Sequence, residues 1–278
     1  MTSSNRRGYR INQILYNCRY ADKKVFVGVD GCSAGWFAVF LAAEAKKNYE
    51  WEIGLFPKFQ FLIDFLINKY EQIDPLILID IPIGLKNGVH GERLSDLGAR
   101  RILKARKSSI FPIPCREAVY VGSYKKACEV NEKITGKRIS KQAWNIVPKI
   151  RDVDSFLVEN KIFREKIKEV GPEVCFQIFK GFPMKYSKKS HDGFLEQKET
   201  LKNIYLFTDK IIETALFEYR RKEVAKDDIL DALVAAITAK MGYRYGFEFV
   251  PREPETDING LKIQMVYCIP NLIDSTNY

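Results

Sequence analysis

Five acidic residues stand where a solvated surface charge is not expected. Asp30 closes one apolar run, Asp80 closes another, Glu173 sits in a β-like segment after Pro172, and Asp228 and Asp231 lie in a long helical stretch. A spacing of three puts Asp228 and Asp231 on one helical face, above the small residues Ala232, Ala235, Ala236 and Ala239. Small residues let such a helix lie close to a sheet and bring its carboxylates near the strand ends. Carboxylates that converge without Lys or Arg partners repel, and divalent cations relieve the repulsion. Such a cluster suits phosphoryl transfer, in which two cations about 3.5–4 Å apart activate a water and stabilise the leaving oxygen. Singly, each acid has an ordinary use: Asp30-Gly31 as a type I′ turn, Asp80 as a strand end bonding the following backbone, Asp227 and Asp228 as complements to a helix N-terminus, and Glu173 as an exposed strand residue. Their joint order, strand Asp, strand Asp, Glu, then helix Asp-x-x-Asp, favours a shared role.

Other chemistries are poorly supplied. The six cysteines (Cys18, Cys32, Cys115, Cys128, Cys175 and Cys268) form no CxxC pair, and the histidines are only His90 and His191. A structural zinc site takes four such ligands, usually in close pairs. A metal here is therefore expected on carboxylate oxygen, which favours Mg²⁺, Mn²⁺ or Ca²⁺; the phosphoryl-transfer reading calls for two Mg²⁺ or Mn²⁺ ions. Cys32 has acidic neighbours and nothing to lower its pKa. Trp36, Trp51 and Trp144 are expected as core or anchoring residues rather than as base-stacking platforms, and His191 as an exposed residue without a role. Scattered thiols suit a reducing, cytoplasmic setting.

At 46% hydrophobic and 29% charged, the 278 residues have the composition of a folded chain with a sizeable core. No run reaches the roughly eighteen uncharged apolar residues of a membrane span, so no membrane partner is expected. The net charge of +10 is unevenly placed: +5 over residues 1–24, −4 over 25–85, +10 over 86–170 and −1 over 171–278. Residues 1–24 lack the apolar core of a secretory signal and read as a basic flexible N-terminal arm. The internal excess includes Arg100, Arg101, Lys104, Arg106 and Lys107; with Lys188 and Lys189 these are the candidate phosphate contacts to nucleic acid, DNA or RNA.

The elements that must position these residues follow from periodicity. Val25–Asp30 and Gly35–Ala42 read as a hairpin across DGCSAG, with a third strand at Trp51–Phe56. Lys58–Tyr70 has the spacing of a helix packed on a sheet. The unbroken apolar run before Asp80 describes a strand covered on both faces, as in the parallel centre of an α/β sheet. Helices are expected at Arg93–Lys104, Arg116–Glu132 and Ser140–Asn160, a strand at Pro172–Phe176, and a polar connection at Lys180–Gly193. Helical periodicity returns over Phe194–Tyr219 and again over Asp227–Met241, which Gly242 is expected to close. Two β-like pieces, Phe247–Val250 and Leu261–Ile269, complete the chain. The expected fold is α/β: one domain over residues 25–278, a mixed sheet flanked by helices, with a basic helical insertion at about 86–170.

Six ordered motifs resemble the DUF429 family of predicted RNase H-like nucleases: GVDGCSAGW (28–36), LIDIPIGL (78–85), ARRILKARKSSIFPIPCREA (99–118), SKQAWNIVPKIRDVD (140–154), PEVCF (172–176) and DDILDALVAAITA (227–239). The likeness runs from about Val25 to about Pro270 and includes DINGLKIQMVY. The last helix is also similar to that of RuvC-like resolvases. These resemblances imply an RNase H-like sheet, with Asp30 as the first-strand acid, Asp80 as the acid ending the fourth strand, and Asp228 and Asp231 as the helix pair holding metal. Glu173 joins the candidate catalytic set through the PEV motif. Gly171 stands where the family pattern leads us to expect His, and Gln197 where it leads us to expect a basic residue.

The leading expectation is thus a hydrolase, a metal-dependent nuclease that cuts phosphodiester bonds. Two alternatives remain: an actin-like nucleotide-binding phosphotransferase that cradles phosphates on the Asp30–Gly35 hairpin, and a non-catalytic nucleic-acid-binding protein.

Overall fold

The computed structural model describes residues 2–4, 10–12, 24–43, 51–69, 74–88 and 91–270. Its strands are β1 (Thr2–Ser4), β2 (Arg10–Asn12), β3 (Lys24–Cys32), β4 (Gly35–Ala42), β5 (Trp51–Phe56), β6 (Asp74–Ile79), β7 (Ile167–Val170), β8 (Glu248–Thr256) and β9 (Lys262–Tyr267). Its α-helices are α1 (Phe59–Lys69), α2 (Leu94–Leu103), α3 (Arg116–Val119), α4 (Tyr124–Thr135), α5 (Lys141–Glu159), α6 (Pro172–Lys180), α7 (His191–Lys202), α8 (Thr208–Glu218) and α9 (Lys226–Tyr245). The strands form one mixed sheet in the order β1-β2-β5-β4-β3-β6-β7-β9-β8. β3, β4 and β5 make an antiparallel meander, and β6 and β7 extend it in parallel from β3.

Strand alternation divides the core. Val25, Val27 and Val29 point with Ile77 and Ile79 into the layer beneath α1 and α5. Phe26, Leu76 and Leu78 point the other way, into the layer built around α9. The same period of two puts Gly28, Asp30 and Asp80 on the α9 side. α9 is buried on every face from Ile229 to Ala239, as a helix apolar all round should be. It packs on β3, β4 and β6 below and on α6, α7 and α8 above.

The expected hairpin forms, but Asp30-Gly31 is not its turn: Asp30 pairs with Phe37 and Gly31 with Trp36, so the chain reverses at Ser33-Ala34. The turn is docked, with Ser33 Oγ donating to the Lys222 and Glu223 carbonyls and the Ala34 amide to the Glu223 carbonyl. Pro172–Phe176 is helical, not a strand. β7 ends at Val170 and Pro172, whose missing N–H costs nothing in a first turn, opens α6. α9 runs past Gly242 to Tyr245 and ends at Gly246. Arg116–Glu132 divides into α3 and α4, and the insertion between β6 and β7 ends before Ile167. Within the expected N-terminal arm, β1 and β2 pair on the sheet edge, Arg10 forms an ion pair with Glu223 at 2.7 Å and Lys24 opens β3; the rest of residues 1–24, and His90, lie outside the described residues.

Candidate metal centre

Parallel register brings the first two acids together. Val29 of β3 is level with Ile79 of β6, and the Asp80 amide donates to the Val29 carbonyl at 3.0 Å, so Asp30 and Asp80 occupy neighbouring strand ends. The third acid comes from α9 because that helix lies almost on the backbone of β3. A Cβ on Gly28 would fall 2.0 Å from the Ala232 carbonyl oxygen and 2.2 Å from the Ala236 nitrogen. Glycine on the strand and alanines on the helix permit this approach, and Asp231, one residue before Ala232, is carried to the strand ends. One carboxylate oxygen from each of Asp30, Asp80 and Asp231 lies within 4.8 Å of the others.

The electrostatics of this group call for positive charge. Burial, then the nearby Asp80, Asp231 and Asp228, raises the Asp30 carboxyl well above its usual range. Burial, then Glu173 and Asp231, does the same to Asp80. Asp231 is pushed up to about 7 by burial, against the pull of Lys188, and its Oδ1 is buried with no hydrogen-bond partner. Hard oxygen donors, clustered and partly desolvated, with one of them buried and unpaired, could hold a metal ion. Asp30 Oδ1 also accepts from the Gly31 amide at 2.6 Å, which fixes its rotamer.

The remaining expected residues divide. Asp228 is adjacent but stands outside the three-carboxylate group: its Oδ2 accepts from the Ala225 amide at 2.7 Å, a helix-start contact. Glu173, on the first turn of α6, meets Lys188, whose Nζ lies 2.9 Å from Glu173 Oε1 and 2.8 Å from Asp231 Oδ2. The carboxylates therefore do have a cationic partner, contrary to the expectation from sequence, and Lys188 is engaged by them rather than free for phosphate. Burial opposes its charge, yet Asp231, Glu173 and Asp80 hold its pKa well above the lysine range. Arg100 is likewise committed, pairing with Glu92 and donating to the Ile110 carbonyl. Arg101, Lys104, Lys107 and Lys189 are exposed. Arg106 donates from Nε to the Met184 carbonyl at 3.0 Å.

A cavity of about 510 Å³ opens beside the carboxylates, with Asp30, Asp80, Glu173, Lys188, Lys189 and Arg106 in its wall. Lys149 of α5, which sequence reading passed over, also lines it; its ammonium donates to the Gly35 carbonyl and lies 4.4 Å from the Trp36 ring centroid. Its position within the SKQAWNIVPKIRDVD motif is the signal that could have found it. Burial pushes the Cys32 thiol up to about 11, away from the thiolate form.

Two buried networks fix the loop after Asp80, and neither was foreseen. Arg93 binds Asp96 at 3.2 Å, Glu169 and the Ile83 carbonyl, while Glu169 Oε2 accepts from the Ile83 amide at 2.7 Å. Burial pushes Glu169 up to about 7 even beside Arg93. Arg116 grips Asp154 through both nitrogens, at 2.6 and 2.8 Å, and also binds Asp257, whose Oδ2 accepts from the Leu85 amide at 3.2 Å. Single charged residues in helical or loop composition carry no sequence mark of such pairing; Asp257 lay within the DINGLKIQMVY stretch.

Fold and site together define an α/β protein with a buried carboxylate cluster that could hold a metal ion, set at the edge of a cavity. The model of DUF429, a protein family of unknown function, matches residues 28–256, and the chain belongs to that family. No curated protein and no solved structure matches it. Among the described residues no helix is long and apolar enough to cross a membrane.

Proposed function

We propose that this protein is a divalent-cation-dependent nuclease of RNase H-like architecture, hydrolysing phosphodiester bonds in nucleic acid. The observation that carries the reading is the convergence of Asp30, Asp80 and Asp231, from three separate elements, to within 4.8 Å. The sheet supports it: a three-strand meander followed by two parallel strands has Asp30 on the meander's first strand and Asp80 at the end of the next strand in sequence. A divalent cation at such a site supplies charge for phosphoryl oxygens and acidifies water. Asp30, Asp80 and Asp231 would hold it. Lys188 offsets part of the carboxylate charge, Glu173 orients that ammonium, and Arg106 and Lys189 offer phosphate contacts from the cavity wall. The Arg93 and Arg116 networks keep the Asp80 loop in one position, so little reorganisation accompanies substrate binding.

The phosphotransferase alternative fares less well. Its phosphate cradle would be the first hairpin turn, and here Ser33 and Ala34 are already bonded to the Lys222 and Glu223 carbonyls. The test is cleavage of labelled single- and double-stranded DNA and RNA with Mn²⁺. Wild-type protein should cut at least one substrate and Asp30→Asn should not. Equal cleavage by both would remove the mechanism.

A further inference from the structure

The cavity beside the carboxylates has a composition that says what it accepts, an inference resting on the nuclease reading. Its volume, about 510 Å³, is that of a site for one small molecule and too small to take in a double helix. One wall is a stripe of α5, with Gln142, Asn145, Ile146 and Lys149 spaced to share a face. The segment after α2 adds Ile110, Phe111 and Ile113, which like Ile146 are only half-buried and so leave apolar surface towards the cavity.

The polar groups match that surface. Gln177 and Gln197 both line the cavity, and the carboxamide oxygen of each is buried with no hydrogen-bond partner. Gln177 is oriented by its Nε2, which donates to the Ile102 carbonyl at 2.6 Å. Gln197 is 3% exposed. Both oxygens are closed off from the cavity, so the carboxamides set the polarity of its lining and offer a ligand an acceptor only after the side chain rotates. A flat, partly apolar ring joined to hydroxyls and a phosphate meets the apolar wall and the cationic and carboxylate edge at once.

We propose that the cavity receives a single unpaired nucleotide unit, phosphate towards Asp30 and Asp80 and ring against the Phe111 and Ile146 wall. The substrate is accordingly single-stranded nucleic acid, engaged at an end or at an unpaired position. A free mononucleotide carries the same chemistry, and the experiment separates the two.

Binding is measured by fluorescence anisotropy on a labelled oligonucleotide as single strand and as blunt duplex, with a nucleoside 5′-monophosphate as competitor. Calorimetry with Mn²⁺ alone measures the cation site independently. The second protein is Asn145→Trp, which adds bulk to the cavity wall from an exposed position and leaves Asp30, Asp80 and Asp231 in place. The expected result is at least tenfold tighter binding of single strand than duplex, lost by at least tenfold in Asn145→Trp while Mn²⁺ binding is unchanged. Equal affinity for duplex, or full single-strand affinity in Asn145→Trp, overturns the proposal. Mononucleotide binding with no strand binding overturns the choice of a strand. If Mn²⁺ fails to bind while strand binding still responds to Asn145→Trp, the metal reading fails and the nucleotide cavity stands.

Discussion

Asp231→Asn should make the metal-free protein more stable at alkaline pH, an unusual outcome for removing a buried charge that has a salt-bridge partner. The Asp231 carboxyl rises from 3.8 in a solvated chain to about 7 in the fold, first because of burial. A folded-state pKa above the unfolded one means that the folded chain holds the extra proton between those values. The stabilising contribution is complete below the unfolded value and disappears as pH rises through about 7. At about 1.4 kcal/mol per tenfold change, the gap sets a ceiling of about 4 kcal/mol against the fold at alkaline pH. The pull of Lys188 is already contained in that value; the asparagine amide, however, brings its own donors into the buried group, which we take to halve the gain to about 2 kcal/mol. For a large domain that is roughly 4–8 °C in Tm. Thermal unfolding of both proteins near pH 5 and near pH 8, each with chelator or with Mn²⁺, is the assay. With chelator the variant should melt higher near pH 8, and the difference should shrink near pH 5. Mn²⁺ should raise the wild-type Tm near pH 8 and leave the variant nearly unmoved. A variant less stable than wild type near pH 8 with chelator, or a pH-independent difference, refutes the electrostatic reasoning.

Three further outcomes test the supports of the site. Gly28→Ala places a methyl 2.0 Å from the Ala232 oxygen; it should cost about 3 kcal/mol or more in urea unfolding and abolish stabilisation by Mn²⁺, because β3 and α9 must separate. Arg93→Met leaves Glu169 and Asp96 buried without their cation, a loss of about 3–5 kcal/mol that equilibrium unfolding should find smaller at acid pH, where the carboxyls protonate. On nucleic acid, Lys107→Ala or Lys189→Ala should each lower the slope of log affinity against log salt by about 1 if the residue contacts a phosphate. Arg100→Ala should instead lower stability with little change in slope, since its guanidinium is already held by Glu92.

Much of the centre was legible because it depends on local period. The apolar run before Asp80 and the hairpin before Gly35 define strands that lead to the two acids, and the parallel register of β3 with β6 then sets Asp30 and Asp80 on one face of the sheet. The alanines after Asp231 announced a helix able to approach that face, and Gly28 proved to be the complementary position. The errors fell where a segment's composition suits two states. Pro172–Phe176 has β-like residues, but a proline at a helix's first turn and the end of β7 decide for α6. Asp30-Gly31 is a common turn pair, yet the ladder to β4 runs two residues further.

Sequence alone therefore determined the α/β class and the family, from the order of elements and motifs along the chain, and pointed to the strand acids and to the helix that brings the third, from spacing within one element. Tertiary structure decided which charges cancel. Lys188 reaches Asp231 across forty-three positions of chain and Arg93 reaches Glu169 across seventy-six. Only folding sets such distances, so only the folded chain separates the cations that offset buried acids from those left in the solvent for a partner.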